Sequence, residues 1–344
     1  MIDTARLCEL GLVPDALARW GMRGLVRERL QEQVQAGIVG QSAFFESLRS
    51  GPVAIATDAA NAQHYEVPAE FFATVLGPRL KYSCAWYENP SVDLAEAEET
   101  MLRLSCARAG VEDGMRLLDL GCGWGSLALW LAEQYPRATV TAVSNSATQR
   151  AYIEAEARAR GFRNLTVITA NAVTWDTDAR FDRVLSVEMF EHMRNYDALL
   201  RRVTGWLTPQ GRLFTHVFCC REYGYHFADA DGWMAQNFFT GGIMPREDQF
   251  EQFPTAARLV ERWWVPGTHY ERTCNDWLDL LDANRAAVLD ICRAAYGRAD
   301  ARVWRQRWRM FFMACAELFG LEGGSRFGVV HSLMEAPDRT SSAI

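Results

Sequence analysis

Leu117-Leu118-Asp119-Leu120-Gly121-Cys122-Gly123-Trp124-Gly125-Ser126-Leu127 is the stretch on which the fold turns. The apolar run from Arg116 to Leu120 has the length and content of a buried parallel strand. It breaks into Gly121, Gly123 and Gly125, after which Leu127, Leu129, Trp130 and Leu131 resume as a helix. Glycines at a strand-to-helix turn let backbone approach a ligand that any Cβ would push away. Strand, Gly-rich turn and helix together describe the crevice of a doubly wound α/β sheet. A lone G-x-G-x-G occurs in many nucleotide folds and in some plain turns. The acid directly before the turn, Asp119, narrows the choice.

Working outward, Val92 to Ala109 reads as a helix feeding this first strand, and further strands follow at Thr139–Ser144, Leu165–Ala170, Asp182–Val187 and Arg212–Phe218. Helical segments separate the first four. A helix from Leu199 to Trp206 and a turn at Pro209-Gln210-Gly211 precede the fifth. That alternation predicts a mostly parallel sheet with right-handed crossovers. Leu259–Val265 and Phe327–Met334 are candidate sixth and seventh strands, with Tyr223–Pro245 and the insertion between those strands as lids beside the strand ends. Upstream, Asp15 to Ser50 reads as two helices in which Leu17, Trp20, Leu25, Leu30, Val34 and Phe44 recur at helical spacing. This reads as a packing arm, a lid, or both. Gly51 to Asn61 reads as a linker, and a short helical stretch begins at His64–Pro68. The organisation expected is a helical arm over residues 1–80, a cofactor-binding core over 81–220, and lids with the final strands over 221–344.

Composition excludes several classes. With 344 residues, 49% hydrophobic and 12% aromatic, the chain can bury a large core. A net charge of −7 argues against nucleic acid, whose phosphates need a basic face. No apolar run approaches the length of a membrane span, and Met1-Ile2-Asp3-Thr4 lacks the basic and apolar regions of a signal peptide. The 9 cysteines contain no C-x-x-C pair. They fit reduced thiols in the cytoplasm, and neither a disulfide framework nor a metal site.

The pattern D-x-G-x-G-x-G, Asp119 to Gly125, is similar to the first motif of S-adenosylmethionine-dependent methyltransferases. More broadly, the chain from about His64 to His331 resembles the cyclopropane fatty acid synthase-like methyltransferases, and within them the coclaurine N-methyltransferase branch. The carriers are Tyr82-Ser83-Cys84-Ala85-Trp86, the Gly-rich turn with Trp124, Ser144-Asn145-Ser146 with Gln149, and Glu188-Met189-Phe190-Glu191-His192-Met193. Phe218-Cys219, Tyr225-His226-Phe227, Phe238-Phe239-Thr240-Gly241-Gly242, Met244-Pro245 and His269-Tyr270 continue it. The resemblance implies a Rossmann-like class I methyltransferase with a seven-stranded sheet, a helical N-terminal arm and lid insertions. It gives Tyr82 and Ser83 to the methionine part of S-adenosylmethionine, and Gly121 and Gly123 to its backbone-facing side. Asn145 and Gln149 would take the ribose. Asn171, a departure from the Asp of the plant N-methyltransferases, would take the adenine amine through its carbonyl oxygen. The resemblance further implies that lipid-modifying members bind bicarbonate as a base through positions matching Cys84, Glu191, His216 and Tyr270. They tend to carry Gly where this chain has Glu188.

An alkyl amine brings its own nucleophile, but near neutral pH it arrives protonated. A carboxylate or imidazole can hold the ammonium and take its proton. Glu188 stands four residues from His192 and three from Glu191, so on a helical turn the three share a face and form the candidate acid/base set. The plain alternative is that Glu191 and His192 cap a helix. His216, His226 and Cys84 have equally plain readings as satisfied structural residues. Of the aromatic group Trp233, Phe238, Phe239, Trp304, Trp308, Phe311 and Phe312, most rings are packing and some line an acceptor pocket, where a π face favours an ammonium. Arg302, Arg305, Arg307 and Arg309 read as a solvated helix face.

The function expected is methylation of a small, partly hydrophobic amine, with no metal. Two alternatives stay open: transfer to an unsaturated acyl chain of a phospholipid, with bicarbonate as base, and a noncatalytic cofactor-binding protein. A homodimer is also left open.

Overall fold

The computed structural model describes residues 4–55, 68–227 and 232–337. β1 (Arg116–Leu120) is flanked by β2 (Thr139–Ser144) and β4 (Phe181–Val187), both parallel to it. Flanking on both sides, with helices over both faces, is why its apolar run is continuous and does not alternate. β3 (Leu165–Thr169) extends the sheet beyond β2, and β5 (Leu207–Cys220) pairs parallel with β4. β9 (Phe327–Glu335) runs antiparallel to β5, and β8 (Arg258–Pro266) antiparallel to β9. The order β3-β2-β1-β4-β5-β9-β8 is the expected doubly wound seven-stranded sheet. Strand order reverses between β1 and β4, so their C-terminal ends open a crevice for ligands.

Two local expectations fail for physical reasons. Pro209-Gln210-Gly211 is not a turn before the fifth strand but part of β5, where the register with β4 slips between Phe181 and Arg183. A bulge tolerates the missing proline N–H that a regular ladder would not. A second, two-stranded sheet of β6 (Tyr225–His226) and β7 (Ile243–Met244) was not foreseen, because two-residue strands leave no alternation to read.

The arm is one long helical run, Asp15–Ser47, kinked into two at Gly37 (φ 55°, ψ −151°). Leu30 and Phe44 pack inward, but Leu17 (56% exposed), Trp20 (67%), Leu25 (68%) and Val34 (55%) face solvent. Charge, not apolar spacing, chooses the inner face here. Arg19 and Arg23 both pair with Glu317 of the Ala301–Phe319 helix, at 2.9 and 2.5 Å. Three of the four arginines expected on a solvated face are paired instead. Arg309 bridges Asp15 and Asp282, Arg305 joins Asp282, and Arg307 holds Glu9. The expected linker is described only as far as residue 55. The start of the His64–Pro68 stretch and the polar tail after Pro337 lie outside the described residues. Among the described residues, no helix is long and apolar enough to cross a membrane.

Gln41 ties the arm to the lid. Buried on the inner face, it donates to Gly224 O (3.0 Å) and accepts from Gly224 N (2.8 Å). Gly224 has no room for a side chain, since an added Cβ would lie 2.1 Å from the Phe44 ring. Gln41→Leu leaves both backbone groups of Gly224 unpaired, which costs about 1–3 kcal/mol for such groups. A lowered midpoint in denaturant titration is the expected result. An unchanged midpoint would mean that water replaces the amide without loss.

Candidate functional site

A cavity of about 320 Å³ opens at the C-terminal ends of β1, β2 and β4. The three glycines that begin its floor have three different reasons. Gly121 (φ 84°) and Gly125 (φ 84°) are packed against side chains: an added Cβ would lie 2.9 Å from Met189 and 2.5 Å from Ile153. Gly123 (φ 52°) faces open space within the cavity wall. Its missing side chain leaves room for a ligand.

The donor set around this floor is incomplete without a ligand. Asp119 Oδ2, Tyr82 Oη and Ser126 Oγ are buried and make no hydrogen bond within the described protein, and all three residues line the cavity. Buried polar atoms are rarely left so, and three on one wall point to a polar molecule seated there. Burial pushes the Asp119 carboxyl up to about 7, against a hydrogen bond from the Ala128 backbone. Ser83, Asn145, Gln149 and Asn171 also line the wall. Asn171 differs from expectation: its Oδ1 already accepts from Val173 N (2.9 Å) in a local turn. A second lone pair remains for an adenine amine.

The acid side is built on one unusual residue. Glu188 follows β4 with φ 48°, a left-handed backbone that non-glycine residues seldom adopt. Its N–H donates to His216 O (2.8 Å). The expected shared helical face is therefore absent. Glu188 stands outside the short 3₁₀ turn Phe190–His192, and the three candidate groups diverge. Glu188 Oε1 accepts from Cys84 N (3.1 Å) and from His216 Nε2 (3.2 Å), and Oε2 accepts from Tyr270 Oη (2.5 Å). Burial pushes its carboxyl up to about 7, although Tyr270, the Lys81 charge and the Cys84 N–H all pull the other way. Glu191 turns inward and is fully buried, with Oε1 accepting from Phe218 N (2.8 Å). Burial, and then the charge of Glu188, hold its carboxyl well above the usual range. His192 faces the cavity, its ring 4.6 Å from that of Phe239.

The structure therefore brings Glu188, His192 and Tyr270 to the cavity and sets the others behind or beside it. His216 is buried behind Glu188. Cys84 serves through its backbone N–H, while its thiol points at Ala85 O. His226 lies against the arm, bonded to Ser47 Oγ (2.9 Å) and edge-on to Phe44. Phe238 is core, stacked on Phe311 at 4.5 Å, and it is Phe311 and Phe239 that reach the cavity. Lys81 had no assigned role. It is buried, donates to Ser83 Oγ and Cys84 O, and supplies the positive charge nearest this cluster. Only its place beside Tyr82-Ser83 could have flagged it.

Fold, crevice and unsatisfied donor set define a class I S-adenosylmethionine-dependent methyltransferase. A family model described as mycolic acid cyclopropane synthetase matches residues 55–324, and the chain belongs to that family. It is 36% identical to (S)-coclaurine N-methyltransferase of Thalictrum flavum subsp. glaucum, over 97% of this chain and 96% of the relative. Pavine N-methyltransferase from the same plant is 30% identical, over 93% and 92%. A crystal structure of coclaurine N-methyltransferase bound to N-methylheliamine and SAH superposes with a TM-score of 0.93 at 34% identity, covering 97% of this chain and 99% of that one. A mycolic acid cyclopropane synthase complexed with SAH and CTAB shares the fold, with a TM-score of 0.68 at 23% identity over 81% and 99%.

Asp119 makes a test of the cofactor side that does not need turnover. Its folded pKa lies above its unfolded value, so its contribution to stability is complete below about pH 4 and is lost as pH rises through about 7. Asp119→Asn removes that loss. Without cofactor, the melting temperature of the variant relative to the parent should be higher at about pH 8 than at about pH 5. Calorimetric titration with S-adenosylhomocysteine should show weaker binding for Asp119→Asn and none for Gly123→Val, which places a branched side chain in the cavity on a left-handed backbone. Parental affinity in both folded variants would place the cofactor elsewhere.

Proposed function

We propose that this methyltransferase N-methylates a small amine with a hydrophobic body, and that Glu188 is the seat of the incoming ammonium. The observation that carries the reading is the Glu188 carboxylate, fixed on the cavity wall by three donors, in a cavity that His192 also lines. A buried anion on a wall otherwise formed by rings such as Phe218, Phe239 and Phe311 favours a cation with an apolar remainder. The N-methyltransferases among the relatives support the same class of acceptor.

When bound, S-adenosylmethionine supplies an electrophilic methyl group on a sulfonium. The residues of this chain align the acceptor, exclude water and manage one proton. Tyr82, Ser83, Asp119, Asn145, Gln149 and Asn171 would hold the cofactor along the floor. Glu188 draws in the ammonium, and with a carboxyl held near 7 it can take the proton that blocks the nitrogen lone pair. His192, on the same wall, takes the role of second acceptor. Glu191 supports the turn from behind.

The acyl-chain alternative fits less well. Cys84 N–H, His216 and Tyr270, at three of the four positions that match the bicarbonate set, are already engaged by the Glu188 carboxylate. Placing Glu in a left-handed backbone costs about 1–3 kcal/mol, a strain that glycine at the same position would avoid. This chain retains the strained carboxylate at the point where the proton must be handled. Nine free cysteines are consistent with a cytoplasmic setting for the reaction.

Glu188→Gln keeps the shape and removes the base, so turnover on an amine should fall about 10²–10⁴-fold. Protonation of Glu188 should also give the parent an acid limb in kcat/KM as pH drops through about 7. In the variant that limb should be replaced by a steady rise toward high pH, as the amine deprotonates in solution. A pH–rate profile on a panel of amines and phospholipids decides the matter. Parental turnover by the variant, or a parent that acts on phospholipid and on no amine, would sink the reading.

A further inference from the structure

Behind Glu188 a chain of hydrogen bonds runs along one face of the sheet, across β5 and β9, to the Leu94–Ala109 helix. His216 on β5 and His331 on β9 are directly opposed in the antiparallel ladder, and both are fully buried. His216 Nε2 meets Glu188 Oε1, His216 Nδ1 meets His331 Nε2 at 2.9 Å, and His331 Nδ1 meets Arg108 Nη1 at 2.8 Å. Arg108 comes from the Leu94–Ala109 helix, its guanidinium over the rings of Trp86 (6.0 Å) and Trp263 (5.2 Å).

The direction of every bond follows from one end. A guanidinium only donates, so His331 Nδ1 must accept, and a neutral His331 then carries its proton on Nε2. That N–H donates to His216 Nδ1, so His216 in turn carries its proton on Nε2 and donates it to Glu188. A proton added to His216 would force His331 to accept at Nε2 and to point an N–H at Arg108. Burial and the positive charges of Lys81 and Arg108 already hold both rings well below the ordinary histidine range.

We propose that Arg108 and His331 are positioning residues for the transfer. They lock His216 as a one-way donor, so that Glu188 is held as a carboxylate and the proton it takes cannot drain along the chain to His331. This rests on the reading of Glu188 as the ammonium seat. Other charged and titratable groups face Glu188 from each element packed on it. Lys81, Tyr82 and Cys84 come from the loop before Ala85, Glu191 from the turn after Glu188, and Tyr270 and Cys274 from the Gly267–Ala283 helix. Glu261 on β8 stands behind Arg108. None of these can set the tautomer of His216, because the ring's two nitrogens are taken by Glu188 and His331.

Without the guanidinium the two rings can reverse together: His331 then carries its proton on Nδ1 and accepts at Nε2, and His216 presents a bare Nε2 to Glu188. Two acceptors then face each other, so the Glu188–His216 unit binds a proton more tightly. Arg108→Met should therefore move the acid limb of kcat/KM to higher pH by about one unit, a roughly tenfold loss below the limb, with little loss well above it. Arg108→Lys keeps a donor and should restore most of the parental profile. His331→Gln, whose amide can accept from Arg108 and donate to His216, should do the same. The imidazole ¹⁵N shifts of the free parent give a readout that needs no substrate: both Nδ1 atoms should be bare and both Nε2 atoms protonated across the neutral range. An Nδ1-protonated His216, or an unmoved acid limb in Arg108→Met, overturns the proposal. Parental turnover in Glu188→Gln with the expected ¹⁵N pattern would instead sink the amine reading and leave the tautomer lock standing.

Discussion

A carboxylate taken out of water at the end of β4 sets the terms that the surrounding chain meets. Desolvating such a group is costly unless its oxygens are met by donors. The donors for Glu188 come from three separate places: a loop N–H at Cys84, an imidazole on β5 and a phenol on the Gly267–Ala283 helix. Each must itself be held. The Cys84 loop is steadied by Lys81, whose ammonium bonds Ser83 and Cys84, and by Glu98, which accepts from Arg79 N and Lys81 N. Tyr270 is stacked on Phe319 at 4.2 Å, and His216 is fixed through His331. Even with these donors, burial prevails and the carboxyl stays near 7. A fully compensated carboxylate would be too weak a base to relieve an ammonium of its proton, and an uncompensated one would be neutral and would attract no cation.

The two sides of the cavity solve opposite problems. On the floor below β1 the protein withholds bulk and leaves polar atoms unpaired, as at Gly123, Asp119 and Tyr82. At the end of β4 it supplies donors to both oxygens of Glu188. The first arrangement gains its missing hydrogen bonds when a ligand arrives, so binding and local order are coupled there. The second is preorganised and needs no rearrangement as charge moves. Strand order brings the two together, because β1 and β4 are neighbours at the point where the sheet changes direction.

What could be read in advance follows the range of the forces involved. β1 was legible from Arg116 to Leu120 because burial between two parallel strands leaves an unbroken apolar run, and β2 followed for the same reason. Glu188, Glu191 and His192 stand together in the sequence, but their spacing did not disclose their geometry. A helical face was expected, and the left-handed Glu188 backbone, fixed by its bond to His216 O, leaves no local signal in the residue type. The Arg108–His331 contact joins positions 223 apart, and neither residue stands in a motif that mentions the other. In the arm, apolar spacing at Leu17, Trp20 and Leu25 suggested an inner face that Arg19 and Arg23 in fact occupy, since their partner Glu317 lies nearly 300 residues away.

The arm and the lid also bear on the acceptor side, though neither carries the acid/base groups. Gln41 grips Gly224, Ser47 bonds His226, and the next residue, Phe227, lines the cavity and meets the Phe239 ring edge-on at 5.0 Å. Phe239 in turn lies against His192. The kinked helix beyond Gly37 is thus connected through Gly224 and His226 to the rings of Phe227 and Phe239 on the cavity wall. The packing of these rings therefore includes a segment that lies outside the Glu188 donor set. The arginine pairs that dock the first half of the arm on the Ala301–Phe319 helix leave the second half, after Gly37, to make the connection. Gly37 itself has open space where a side chain would be. Its requirement is the positive φ, so the kink is a backbone feature that packing does not impose, and it sets the angle at which the lid-bearing half meets β6.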